Sequence, residues 1–188
     1  MMDRQWTGVV LAGGKSSRMG HDKALMEIDG RTMLDRAIDL LRPHVREILV
    51  VGDPSKYRTS HGTVIPDEIP GQGPLGGLTT ALKRARYVRM LVIACDLPEL
   101  NDRLITRLKA ALDEAHDAAV PKHDGLIEPL AAAYHLRALE AFDQCLKERV
   151  LKMSDALARV RPVWVEVSPG EEGWPSTLFR NVNAPSDL

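Results

Sequence analysis

Five consecutive apolar residues, Met90-Leu91-Val92-Ile93-Ala94, constrain the fold of this chain more than any other feature. A run so short and so free of polar alternation reads as a strand covered on both faces, and such strands belong to parallel sheets wrapped by helices. Similar runs occur at Gly8-Val9-Val10-Leu11, at 47–51 and at Thr63-Val64-Ile65. Helical spacing fills the intervals. Thr32 is placed to cap a helix presenting Leu34, Ala37, Ile38 and Leu41 on one face and stopping near Pro43. A turn, Pro70-Gly71-Gln72-Gly73-Pro74, leads into a helix with Leu75, Leu78, Ala81-Leu82 and Ala85 inward. Asn101 caps a third helix carrying Leu104, Leu108 and Leu112. Repeated β-α units predict an α/β fold: one Rossmann-like three-layer domain over residues 1–188, its mostly parallel sheet flanked by helices on both faces.

The later part is less regular. Ala118-Ala119-Val120 and 130–134 read as strands flanking a polar loop, Lys122-His123-Asp124-Gly125. Leu139, Phe142, Leu146 and Val150 mark a helix, and Met153, Ala156-Leu157 and Val160 another. Residues 163–167 alternate as a half-exposed strand. No internal repeat, low-complexity tract or linker divides the 188 residues.

Composition excludes several classes. The net charge is -1 and the pI near 6.6, so nothing draws the whole molecule to nucleic acid or an anionic membrane. Aromatic residues make up 4%, too few for a base-stacking platform. No apolar stretch approaches a membrane span, and the N-terminus lacks the apolar core of a signal peptide. Cys95 and Cys145 match no metal motif and read as buried thiols. A cytoplasmic protein is expected.

The chemistry begins where the first strand ends. Leu11-Ala12-Gly13-Gly14-Lys15-Ser16-Ser17-Arg18-Met19-Gly20-His21-Asp22-Lys23 is a glycine- and serine-rich loop with three cations. Glycines let backbone N–H groups approach phosphate oxygens, and Lys15, Arg18 and Lys23 supply charge. Neither the Walker A spacing nor the dinucleotide fingerprint fits. The backbone of Leu11, Ala12, Gly13 and Gly14 is therefore assigned to nucleotide docking, and the three cations to phosphate charge.

Asp96, in Cys95-Asp96-Leu97-Pro98, follows the most apolar strand and so emerges at the same sheet edge as that loop. A carboxylate there can hold Mg²⁺ or, more plainly, form a turn or helix cap before Pro98. Asp67 follows the third strand. It either accepts hydrogen bonds from guanine N1–H and N2–H₂ or closes an Asx turn. Gly76-Gly77 either offers helix N–H groups to a phosphate or permits close packing.

Taken together, Leu-Ala-Gly-Gly with Lys15, Arg18-Met19-Gly20 and Asp22-Lys23 resembles the signature of molybdenum cofactor guanylyltransferases. Cys95-Asp96-Leu97-Pro98 is similar to their metal-binding motif, and Glu128-Pro129-Leu130-Ala131-Ala132-Ala133-Tyr134 resembles their acceptor-side strand. Phe179-Arg180-Asn181-Val182-Asn183-Ala184-Pro185-Ser186-Asp187-Leu188 resembles their C-terminal Asn-x-Asn-Thr-Pro segment, with Ala184 in place of Thr. Gly52-Asp53 departs from the Asn that some members carry.

The resemblance implies transfer of GMP from GTP to the terminal phosphate of molybdopterin, with Mg²⁺ on Asp96 and release of pyrophosphate. It implies catalytic roles for Lys15, Arg18, Lys23 and Asp96, nucleotide contacts from Asp67, and acceptor contacts from Asn181 and Asn183. The N-terminal half would bind nucleotide and the C-terminal half the acceptor, with cofactor-delivering and cofactor-receiving proteins as further partners. A cytidylyltransferase of the same fold and a GTP-binding module without turnover are the alternatives.

Overall fold

The computed structural model describes residues 5–13, 22–182 and 187. Strands β1 (Trp6–Leu11), β4 (Glu47–Val51), β5 (Thr63–Ile65), β6 (Arg89–Ala94), β7 (Ala118–His123), β9 (Ala131–His135) and β10 (Pro162–Glu166) form one sheet. Its order is β10-β7-β9-β6-β1-β4-β5, with the short β8 (Leu126–Ile127) paired to β7. A two-strand ribbon, β2 (Glu27–Ile28) and β3 (Arg31–Thr32), lies apart from it. The helices are α1 (Met33–Leu41), α2 (Gly73–Arg84), α3 (Asp102–Ala111), α4 (Leu139–Lys147) and α5 (Met153–Leu157).

Alternation along the strands builds two cores. Trp6 and Val10 of β1, with Leu91 and Ile93 of β6, pack against Leu34, Ile38 and Leu41 of α1 and Leu104 and Leu108 of α3. Val9 and Leu11, with Met90 and Val92, face Leu75, Leu78 and Leu82 of α2, Phe142 of α4 and Met153 of α5. Both faces of the central strands are therefore dry, as their continuous apolar runs require. Close approach is built in at Gly8, where a Cβ would stand 3.2 Å from Leu41 and Val45 of the covering layer.

The caps form as the sequence predicts. Thr32 Oγ1 accepts from the Asp35 N–H at 3.0 Å, and Asn101 Oδ1 accepts from the Leu104 N–H at 3.1 Å. Both cysteines are buried free thiols. The three-layer, mostly parallel architecture also holds, with two reversals: β9 runs antiparallel between β6 and β7, and the short β8 antiparallel to β7.

The polar segment after Val120 differs from expectation. Lys122 and His123 continue β7, and only Asp124-Gly125 turn, both at positive φ, before β8 returns. An Asp-Gly pair of that conformation is a tight hairpin turn, and Asp29-Gly30 makes another between β2 and β3. Val150 and Val160 lie beyond the ends of α4 and α5 but still pack against the second core.

Candidate active site

β1 pairs with β4 on one side and β6 on the other, all parallel, so the chain reverses its direction of growth across the sheet at β1. Ligands of open α/β sheets collect at the carboxyl ends of strands beside such a reversal. A cleft of about 270 Å³ lies there. Leu11, Ala12 and Gly13 leave β1 along its wall, Ala94, Cys95 and Asp96 leave β6, and Asp53, Lys56 and Tyr57 come from the loop after β4. Asp22, Lys23, Pro74 and Leu130 complete the lining. Backbone bonds hold these exits in register: Ala12 N–H to the Val51 carbonyl, Cys95 N–H to Leu11, and Ala94 N–H to Leu130, at 3.0, 3.3 and 2.7 Å.

Lys23 and Asp96, far apart in sequence, meet in the cleft, with Nζ 3.5 Å from Oδ2. Both side chains are about one-fifth exposed, at 17% and 25%, so the pair is screened yet reachable by a ligand. Lys23 opens a short turn whose first N–H groups are capped by Asp22, with Oδ1 accepting from the Ala24 N–H at 3.2 Å. The Asp96 carbonyl accepts from the Val182 N–H at 2.9 Å, which lays the C-terminal segment along the same rim.

Beside them, Cys95 is buried. Loss of solvation, reinforced by the Asp96 charge, pushes its thiol up to about 12. It is a neutral thiol at pH 7 in the wall of the cleft.

The other predicted residues fall in different places. Asn181 is exposed, next to the buried Val182. Asp67 stands at the end of β5, outside the cleft lining, where Oδ1 accepts from the Ile69 N–H at 2.9 Å and from Thr80 Oγ1 at 3.1 Å. That is the Asx-turn geometry. Gly76 and Gly77 serve close packing: a Cβ on Gly76 would reach 3.0 Å from the Ile69 carbonyl, and one on Gly77 3.3 Å from Leu11. Gly14, Lys15, Arg18 and Asn183 lie outside the described residues.

Lys56 and Tyr57 line the cleft without having been singled out from sequence, and Asp22 and Asp53 line it although the sequence reading gave them no site role. Their signal was position: Gly52-Asp53 follows a buried parallel strand, just as Asp96 does. Asp53 Oδ1 accepts from the Ser55 N–H at 2.9 Å and its hydroxyl at 2.7 Å, which holds the Asp53 carboxyl below its usual range. Tyr57 donates toward the Ala12 carbonyl and Asp22, and burial with the Asp22 contact pushes its ionisation well upward.

His123 lies flat on Phe179, with ring centroids 4.6 Å apart, and its Nε2 is 3.0 Å from Glu128 Oε1. Among the described residues no three His, Cys, Asp or Glu side chains cluster to enclose a metal, and no helix is long and apolar enough to cross a membrane.

Comparison with known proteins agrees with this geometry. Residues 8–163 match the family model described as a MobA-like NTP transferase domain. A curated relative from Pelotomaculum thermopropionicum, named "Probable molybdenum cofactor guanylyltransferase", is 36% identical, with 98% of this chain and 90% of that one aligned. One of the same name from Carboxydothermus hydrogenoformans is 35% identical over 96% and 92% of the two chains. Molybdopterin-guanine dinucleotide biosynthesis protein A from Archaeoglobus fulgidus superposes with a TM-score of 0.78 at 25% identity, covering 96% of this chain and 94% of that one. With the match spanning well over half of its residues, from β1 into β10, the chain belongs to the MobA-like NTP transferase family.

Proposed function

We propose that this chain is a cytoplasmic guanylyltransferase of the molybdenum cofactor, moving GMP from GTP to the terminal phosphate of molybdopterin with release of pyrophosphate. The observation that carries the reading is Lys23 beside Asp96 at the crest of β1 and β6, a cation and a carboxylate set where a triphosphate would lie. The names of relatives at 35–36% identity support the choice of GTP and molybdopterin. In this reading one domain spans the chain, its N-terminal half docking the nucleotide and its C-terminal half the acceptor.

The attacking group is a phosphate oxygen already anionic at neutral pH, so no strong general base is needed. Positioning and charge stabilisation are what the protein must supply. The Leu11–Gly13 backbone docks the nucleotide. Lys23, with Lys15 and Arg18 from the same signature, meets the charge that builds on the phosphates. Asn181 and Asn183 serve the acceptor side, and Asp67 shapes the base end through the turn it closes.

Asp96 is suited to Mg²⁺, which takes one or two carboxylates and otherwise keeps water and phosphate oxygens. A partly exposed carboxylate with no group of three metal-holding side chains around it among the described residues fits that donor set. Held by Asp96, such an ion would supply charge that offsets the developing charge of the leaving pyrophosphate.

Pyrophosphate release with molybdopterin and Mg²⁺, measured in parallel for GTP, CTP, ATP and UTP, tests the reading. Turnover with GTP alone is expected, and Asp96→Ala should lose it while keeping its circular dichroism spectrum. Turnover with CTP instead would retain the fold and replace the substrate. Normal activity in Asp96→Ala would remove the assigned metal and catalytic role.

A further inference from the structure

Tyr57 carries no charge and belongs to no signature, yet its hydroxyl sits where both ends of the segment 13–21 meet. It lies 2.9 Å from the Ala12 carbonyl oxygen and 3.0 and 2.8 Å from the two carboxylate oxygens of Asp22. Ala12 precedes that segment, Asp22 follows it, and Asp22 also caps the turn bearing Lys23. The ring is 4% exposed and stands on Gly52, where a Cβ would come within 2.5 Å of it. One hydroxyl proton thus faces three acceptor oxygens, two of them on a carboxylate.

We infer that Tyr57 is a positioning residue: its hydroxyl latches Ala12 to Asp22 and so presets the Leu11–Gly13 backbone and Lys23 for a nucleoside triphosphate. Closing a chain segment costs entropy, and a latch made during folding removes that cost from the binding step. The same latch joins the loop after β4 to the exit of β1, so three lining segments of the cleft share one anchor. The inference rests on the guanylyltransferase reading, because it takes the cleft to be the GTP site.

Tyr57→Phe removes the hydroxyl and leaves the ring on Gly52. Calorimetric titration with GTP and steady-state pyrophosphate release should show Kd and KM for GTP about tenfold higher, the scale of a lost hydrogen bond to a charged group. KM for molybdopterin should stay unchanged, and the melting temperature without nucleotide should fall by only a few degrees, since the latch is already made in the folded protein. Thr32→Ala, a helix-cap variant remote from the cleft lining, supplies the control for stability loss without loss of GTP affinity. Wild-type affinity for GTP in Tyr57→Phe would overturn the inference alone. Equal rises in both KM values with a large drop in melting temperature would reduce Tyr57 to a structural part and overturn it too. Failure of the wild-type protein to bind GTP would overturn the guanylyltransferase reading and the inference with it.

Discussion

Asp117 shows how a single residue can hold a region far from the cleft. Its carboxylate, 7% exposed, accepts from the Arg161 guanidinium at 3.0 and 2.9 Å and from Arg137 Nε at 2.9 Å, which holds it well below the usual carboxylate range. Arg161 and Arg137 are 60% and 33% exposed, so solvent tempers their side of the exchange. Replacing Asp117 with Asn should cost about 2 kcal/mol at neutral pH, read by urea unfolding. A carboxyl depressed in the folded state stabilises it fully above its unfolded value and loses that contribution as pH falls toward its folded one. The gap between wild type and Asp117→Asn should therefore be constant above about pH 4 and shrink below it. A gap that widened in acid would contradict the assignment.

Asp96, chosen from sequence because it follows a buried strand, stands in the cleft, and Asp53 stands there for the same reason. Asp67 follows a strand too, yet bonds its own turn. Which of these three faces the cleft depends on how wide a turn each strand makes, and one sequence does not fix that.

At the level of elements, strands were legible wherever burial was two-sided. Residues 48–51 are uniformly apolar and form the buried part of β4, whereas 63–65 form the edge strand β5, half-exposed and legible through its β-branched residues instead. Helix starts were legible through their caps. Thr32→Ala and Asn101→Ala should each cost about 1 kcal/mol in unfolding experiments, with turnover unchanged, since each removes one acceptor from a helix's first N–H groups.

The direction of β9 was not legible. Its Ala131-Ala132-Ala133 is equally apolar whichever way the strand runs, and the reversal depends on the neighbours it reaches. The hairpin turns at Asp29-Gly30 and Asp124-Gly125 carry the ordinary Asp-Gly signal, but beside the second the polar Lys122-His123 read as loop rather than strand.

At the scale of the whole molecule, residues 178–182 are tied to the rim that carries Asp96. Leu178, Phe179 and Val182 are buried, Phe179 stacks on His123, and Val182 is bonded to the Asp96 carbonyl. Deleting residues 179–188 should leave the sheet able to form, because none of its strands is removed. It should lower the melting temperature by several degrees and abolish pyrophosphate release, while GTP binding at the β1 and β4 side persists. Retained turnover would separate this segment from the chemistry.

The reversed strand has a consequence for how such a protein can diversify. Because β9 runs against its neighbours, its first residue, Ala131, pairs with Ile93 at the same edge where β6 delivers Asp96. The chain between β7 and β9 thus leaves and re-enters the sheet at one rim, without crossing a face. Doubling the length of such a connection costs only about 0.6 kcal/mol in closure entropy. Insertions there could reshape what sits opposite the nucleotide while the β4-β1-β6 platform stays untouched. Descent with new acceptors therefore has an inexpensive place to experiment, one hairpin away from the reacting phosphates.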